Sequence, residues 1–113
     1  MRNRYIALIP AYEPERKLIG LTADLKEKGF DIVVVDDGSG PEYKDIFGEL
    51  EQQATVLTHS QNRGKGAALK TGLRYINKYM PNIIHLLLLY DIYLFENEAK
   101  KNQKKYLRNI YYL

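Results

Sequence analysis

Three features of the sequence point to one α/β domain of three layers, α/β/α, with helices on both faces of a mainly parallel sheet. Strand-like apolar runs alternate with helix-length segments from residue 5 to residue 80; one run, Ile32 to Val35, is apolar at every position; and the runs end in clusters of turn-forming polar residues. Alternation of this kind builds βαβ units, whose right-handed crossovers lay helices over a parallel sheet. A run that is apolar throughout suits a strand buried on both faces. With 113 residues, 45% hydrophobic and 27% charged, the chain has material for one core and not two.

Tyr5 to Ile9 reads as the first strand, and Pro10, which has no N–H to donate to a ladder, is expected to end it. Pro14 suits a first helical turn, after which Leu18, Leu21 and Leu25 recur at helical spacing until Gly29 supplies a stop. Asp31 to Val35 is the second strand. Glu42 to Gln53 is expected as a polar-faced helix with Ile46 and Leu50 on its inner edge, and Thr55 to Thr58 as a short third strand. A glycine-rich loop from Asn62 to Gly66 follows, and then Ala68, Leu69, Gly72, Leu73, Ile76 and Met80 mark one face of a third helix.

The character of the sequence changes after Pro81. Between Asn82 and Leu113 there is no Gly, Pro, Ser, Thr or Val, and Phe, Ile, Lys, Asn, Tyr and Leu dominate. Residues 1–81 therefore read as the α/β unit and residues 82–113 as an atypical tail. Those six residue types are the ones A/T-rich codons favour, so one reading of the tail is an altered or out-of-frame ending. The other keeps it native, with Ile83 to Leu89 a fourth strand and Glu96 to Tyr112 a basic helix.

Composition removes several classes of function. The net charge of +3 is too small to argue for nucleic acid. With no cysteine there is no disulfide and no thiolate metal site, which suits a reducing cytoplasm. The first apolar run is short and broken by Pro10, which fails the pattern of a signal peptide. The run from Ile83 to Phe95 contains His85 and Asp91 and falls short of the roughly 20 apolar residues of a membrane span.

Polar groups fall where three successive strands end: Ala11-Tyr12-Glu13, Asp36-Asp37-Gly38-Ser39, and Asn62-Arg63-Gly64-Lys65-Gly66. In a parallel sheet these positions share one edge, the edge at which such sheets bind ligands. An aromatic ring and carboxylates suit a base and ribose, while Arg, Lys, glycine amides and a helix N-terminus suit a diphosphate. Read singly, each cluster serves equally well as a turn, a packed aromatic or solvated loop charges. The third loop has His59 where a P-loop needs its first glycine and Gly66 where it needs Ser or Thr. Leu69 stands where a dinucleotide fingerprint needs its third glycine. His59 and His85 have no acidic partner at metal-ligand spacing, and no Ser, His and Asp set suggests a nucleophilic triad.

Together, IPAYEPE at Ile9 to Glu15, VVVDDGSG at Val33 to Gly40 and NRGKGAALKTG at Asn62 to Gly72 resemble the family 2 glycosyltransferases, over roughly Tyr5 to Met80. The resemblance implies a Rossmann-like, partial GT-A fold and an enzyme of cell-envelope glycan synthesis that binds a UDP-, GDP- or dTDP-sugar. It further implies transfer with inversion to a hydroxyl or a lipid phosphate. Pro10, Ala11, Tyr12 and Glu13 would line the nucleotide pocket. Asp37 would accept from the base imide, and Asp36 would shape the turn or the ribose contact. Arg63, Gly64 and Lys65 would lie beside the base and diphosphate, with Gly66 permitting close approach.

Two departures limit what carries over. Tyr12-Glu13-Pro14 stands where the family commonly has Tyr-Asn-Glu, and the family's Asp-x-Asp, which holds Mg²⁺ or Mn²⁺, has no counterpart, since Asp91 is the only aspartate after Pro81. The expectation is the nucleotide-binding half of a transferase, cytoplasmic or peripheral to a membrane, without a metal site and inactive alone. The alternatives are a non-catalytic nucleotide-binding or interaction module, whose Lys100 to Arg108 run would meet an acidic membrane surface or a partner chain, and an inactive fragment with an uncovered sheet edge. Self-association through such an edge belongs with either.

Overall fold

The computed structural model describes residues 5–82, 85–89 and 110–112. Five strands form one sheet: β1 (Tyr5–Ala11), β2 (Phe30–Asp36), β3 (Thr55–Thr58), β4 (His85–Leu89) and β5 (Ile110–Tyr112), in the spatial order β3-β2-β1-β4-β5. The first four are mutually parallel, and β5 runs antiparallel to β4. Three helices connect them: α1 (Lys17–Glu27), α2 (Lys44–Leu50) and α3 (Lys65–Tyr79).

The period of two along each strand splits the core into two halves. Ala7, Ile9 and Ala11 of β1, Ile32 and Val34 of β2 and Leu87 and Leu89 of β4 face one side, where they meet Leu18 and Leu25 of α1 and Ile46, Phe47 and Leu50 of α2. Ile6, Leu8, Val33, Val35, Leu86 and Leu88 face the other, against Ala68 and Ile76 of α3. Both faces of the sheet are thus covered, as the continuous apolar run in β2 requires. Each fully buried Leu, Ile or Val contributes about 1.5–3 kcal/mol before chain entropy is subtracted.

The chain moves outward from β1 to β2 to β3 and then returns through α3 to β4, on the far side of β1. Open parallel sheets form their ligand crevice at such a reversal, outside the carboxyl ends of the strands. Register brings those ends level, because Ala11 pairs with Asp36 and Asp36 with Thr58. Tyr12, Asp37 and His59 therefore stand next to one another, one residue beyond a common row.

Several boundaries differ from the sequence expectation. Pro10 lies inside β1, paired with Val35. The Ala11 carbonyl accepts from the Asp37 amide on the β2 side, so alternation turns the Pro10 nitrogen toward β4, where the recorded pairing has already stopped at Leu8. No ladder bond is lost. Helix α1 begins at Lys17 rather than Pro14, since Glu13 has φ 49° and its amide donates to Ser39 Oγ at 2.8 Å, which holds the chain to the next loop. The expected helix from Glu42 to Gln53 is a 3₁₀ turn at Pro41–Tyr43 followed by α2, which stops at Leu50. Beyond it the Gln53 side chain donates to Ile19 O and Thr22 Oγ1 of α1.

Helix α3 begins at Lys65, so Lys65 and Gly66 belong to its first turn and the loop closes at Gly64, φ 98°. Its line of closest approach is Ala68, Gly72 and Ile76; a Cβ at Gly72 would meet Leu8 Cδ1 at 2.3 Å. Leu73, expected on the inner face, is 37% exposed because it sits about 100° round the helix from Gly72. In the tail, β4 occupies most of the expected fourth strand. Residues 110–112, expected to end a helix, instead form β5, which pairs the free edge of β4. The rest of that expected helix lies outside the described residues, as does Asp91.

Candidate functional site

The loops that follow β1, β2 and β3 are fastened to one another at the carboxyl edge, and Asp37 is the fastening. It is fully buried. Its Oδ1 accepts from the Arg63 amide at 2.8 Å and lies 2.7 Å from His59 Nδ1, and its Oδ2 accepts from the Gly64 amide at 2.8 Å. A carboxylate can only accept, so Nδ1 carries the proton in that contact. The amides of Arg63 and Gly64 lie just ahead of α3, where the helix dipole is positive, so Asp37 acts as an internal anion at that end.

Asp36 does related work within its own loop. Its Oδ1 accepts from the Ser39 amide at 2.9 Å, and Ser39 Oγ in turn accepts from the Glu13 amide. Loops one and two are joined through Ser39, and loops two and three through Asp37. Gly38 completes the seam, with φ 74° and its backbone packed against Gln61 and Asn62. His59, only 8% exposed, spans the remaining gap: its amide donates to Asp36 O at 2.8 Å and its Nε2 lies 2.8 Å from Thr71 Oγ1 on α3.

The structure brings together most of the residues singled out in the sequence, several of them in surroundings other than those expected. Pro10 and Ala11 are fully buried strand residues, so they do not line a pocket with their side chains; they aim the backbone of Tyr12 and Glu13. Tyr12 is half-buried and Glu13 exposed. Tyr12 has its phenol pushed above the ordinary 10.0, first by the Glu13 carboxylate, then by burial, a hydrogen bond with Glu13, and the charges of Tyr43 and Asp37. It therefore stands at the rim as a neutral ring with a hydroxyl. Arg63 and Gly66 are exposed, and Gly64 and Lys65 are half-buried at the start of α3.

Asp37 is placed differently from that expectation. A direct bond to a base imide does not fit a carboxylate with no exposed surface whose two oxygens already serve two amides and an imidazole. Its place in the site is structural support for the Arg63–Gly64 backbone. His59 and Thr71 are the members the sequence reading missed, and Ser39, named there within the second cluster, proves to join the first two loops. The available signal was register: His59 follows the last residue of β3 just as Asp37 follows that of β2.

A cleft of about 510 Å³ opens on the α2 side of the same edge, lined in part by Asp36, Gly40, Lys44, Glu51, Thr58 and His59. Among the described residues, no group of three His, Asp or Glu side chains comes together as a metal site requires. Asp37, fully buried and with both oxygens accepting from N–H groups, is not set to hold a divalent ion, and Asp36 turns one oxygen to the Ser39 amide. No helix among the described residues is long and apolar enough to cross a membrane.

An open parallel sheet with helices on both faces and its polar loops gathered at the carboxyl edge is a Rossmann-like α/β domain, here a partial GT-A fold. The chain belongs to glycosyl transferase family 2, whose sequence model matches residues 6–84. Two uncharacterized proteins of Methanocaldococcus jannaschii are similar to it. One is 39% identical over 85 residues, covering 74% of this chain and 34% of that protein; the other is 33% identical over 81 residues, covering 66% and 35%. A UDP-N-acetylglucosamine–dolichyl-phosphate N-acetylglucosaminyltransferase of Methanococcus voltae is 31% identical over 83 residues, covering 59% of this chain and 33% of that enzyme. The chain thus matches about a third of the length of each relative.

Proposed function

We propose that this chain binds a nucleotide-diphospho-sugar at the carboxyl edge of β1, β2 and β3, as the donor-binding part of a glycosyltransferase. The observation that carries the reading is the seam through Asp37, which fixes Tyr12, Arg63 and the start of α3 around one edge. Tyr12 offers a neutral ring against which a base can stack, its hydroxyl held by the Glu13 carboxylate. Arg63 and Lys65, at the N-terminal end of α3, offer cationic groups for the diphosphate. Asp37 and Asp36 act one step back, by holding the backbone that presents those groups.

In the complete enzyme the bound sugar is attacked at its anomeric carbon by an acceptor hydroxyl or lipid phosphate, with inversion, and the nucleoside diphosphate departs. The Methanococcus voltae relative, named for a UDP-sugar donor and a dolichyl-phosphate acceptor, makes UDP-sugars the first donors to test and a lipid phosphate at a membrane surface the first acceptor. A divalent ion, where the family uses one, offsets charge on the leaving diphosphate. In this chain Arg63, Lys65 and the start of α3 are the groups that would meet the diphosphate. Residues 82–113 are either an altered ending, as their A/T-favoured composition suggests, or a native tail, as β4 in the sheet suits, and the coding DNA read past codon 81 in its other two frames decides between the two.

Calorimetric titration of the 113-residue chain with UDP, GDP, dTDP and their sugars, with and without Mn²⁺, tests the donor site. Weak binding with little dependence on Mn²⁺ is expected. Absence of binding to all of them sinks the proposal.

A further inference from the structure

We infer that His59 is a positioning residue of the nucleotide edge: it holds the Asp37 carboxylate in the orientation that fixes the Arg63–Gly64 backbone, and it is itself held by Thr71. The inference rests on the nucleotide reading for its functional consequence but not for its structural core. Three observations carry it. His59 Nδ1 lies 2.7 Å from Asp37 Oδ1, its Nε2 lies 2.8 Å from Thr71 Oγ1, and its side chain is only 6% exposed. A ring clamped at both nitrogens has one allowed orientation. That orientation delivers a proton to the same oxygen that accepts from the Arg63 amide.

The arrangement explains why Thr71, a polar residue on the inner side of α3, points at a buried group rather than at water. The Thr hydroxyl can donate or accept, so it matches Nε2 in either protonation state of the ring. Through it, the second turn of α3 is tied to the end of β3 and to Asp37, while the first turn begins next to the amides that Asp37 binds. Loosening His59 therefore releases the Asp37 carboxylate to rotate, and with it the loop that carries Arg63 and Lys65.

The test uses the different reach of two amide side chains. In His59→Asn the amide N–H occupies the place of Nδ1 and still donates to Asp37, whereas in His59→Gln it occupies the place of Nε2, reaches Thr71 and leaves Asp37 with the two backbone amides alone. Gln is closer to His in volume, so a space-filling role favours Gln and a positioning role favours Asn. The first readout is hydrogen exchange at the Arg63 and Gly64 amides in the full chain, followed by NMR. Exchange in the Gln variant is expected to rise about ten-fold, the order for one buried hydrogen bond to a charged group, and to stay near the parent's in the Asn variant. Thr71→Val, which removes only the hydroxyl, is expected to raise exchange at the same two amides without moving it in β1, and it supplies the answer should the Gln variant not fold. The second readout is UDP affinity, expected to fall in the same order.

Equal exchange at Arg63 and Gly64 in parent, Gln and Val chains overturns the inference, as does better protection in Gln than in Asn. If the parent does not bind UDP or any other nucleoside diphosphate, the nucleotide reading fails, and the exchange comparison still decides whether His59 positions Asp37.

Discussion

Gly38 is pressed against Gln61 so closely that a Cβ built on it would lie 2.2 Å from the Gln61 carbonyl carbon and 2.3 Å from the Asn62 nitrogen. Both are backbone atoms, which cannot swing aside as a side-chain tip does, and Gly38 also has φ 74°. Gly38→Ala therefore meets a steric and a conformational penalty together, expected to cost about 3 kcal/mol or more. Urea denaturation of the variant is expected to show a lower midpoint. If it stays at the parent's value, the packing of the second loop on the third is wrong as described.

Asp37→Asn separates charge from shape. Asn fills the same space but presents one carbonyl and one amide, so it can accept from one of the Arg63 and Gly64 amides while turning a donor toward the other. Two donors then face each other in a buried place. The expected loss of stability is about 2–4 kcal/mol, and nucleotide binding is expected to weaken for every base alike, because Asp37 supports the loop rather than reading the base. Loss of preference among UDP, GDP and dTDP at unchanged overall affinity would restore the base-reading role that the family resemblance implies.

Tyr12 gives a prediction that depends on pH. Its phenol is raised above 10.0, chiefly by Glu13. In the folded chain the proton is held more tightly than in the unfolded one, so this contribution to stability is present in full below pH 10 and is lost as pH rises through the folded value. Below pH 10 the ring carries no charge to repel a diphosphate. Difference ultraviolet titration of the chain against Tyr12→Phe is expected to place the Tyr12 ionisation above 10.0, and Glu13→Gln is expected to bring it back toward 10.0. An unchanged profile in that variant removes Glu13 as the cause.

The sheet and both helix-covered faces were legible because the evidence for them is local: Ile32 to Val35 announce a doubly buried strand, and Leu18 and Leu25 a packed helix. Grouping the three loops on one edge was also legible, since parallel strands alternating with helices leave no other arrangement. What the sequence hid is how those loops share hydrogen bonds. Asp37 lies 26 residues from Arg63, His59 lies 12 from Thr71, and neither spacing carries a local pattern. Pro10 and Leu73 misled for a related reason. Whether a strand tolerates proline depends on which neighbour its nitrogen faces, and whether a leucine is buried depends on where the helix comes closest, here at Gly72 over Leu8.

Gly66 separates stability from function. It lies in the first turn of α3, and a Cβ there would meet nothing within 4 Å. With space to spare and an ordinary helical backbone, Gly66→Ala is expected to stabilise the chain by about 0.5–1 kcal/mol, because alanine loses less backbone entropy on entering a helix. A nucleotide diphosphate lying over the start of α3 would fill that same space, and the added methyl would hold it away from the helix amides. UDP affinity is therefore expected to fall several-fold while thermal stability rises. A stabilised variant that binds as tightly as the parent would mean that the diphosphate does not pass over Gly66, and would move it toward Arg63 or onto the α2 side of the edge, where Lys44 lines the cleft.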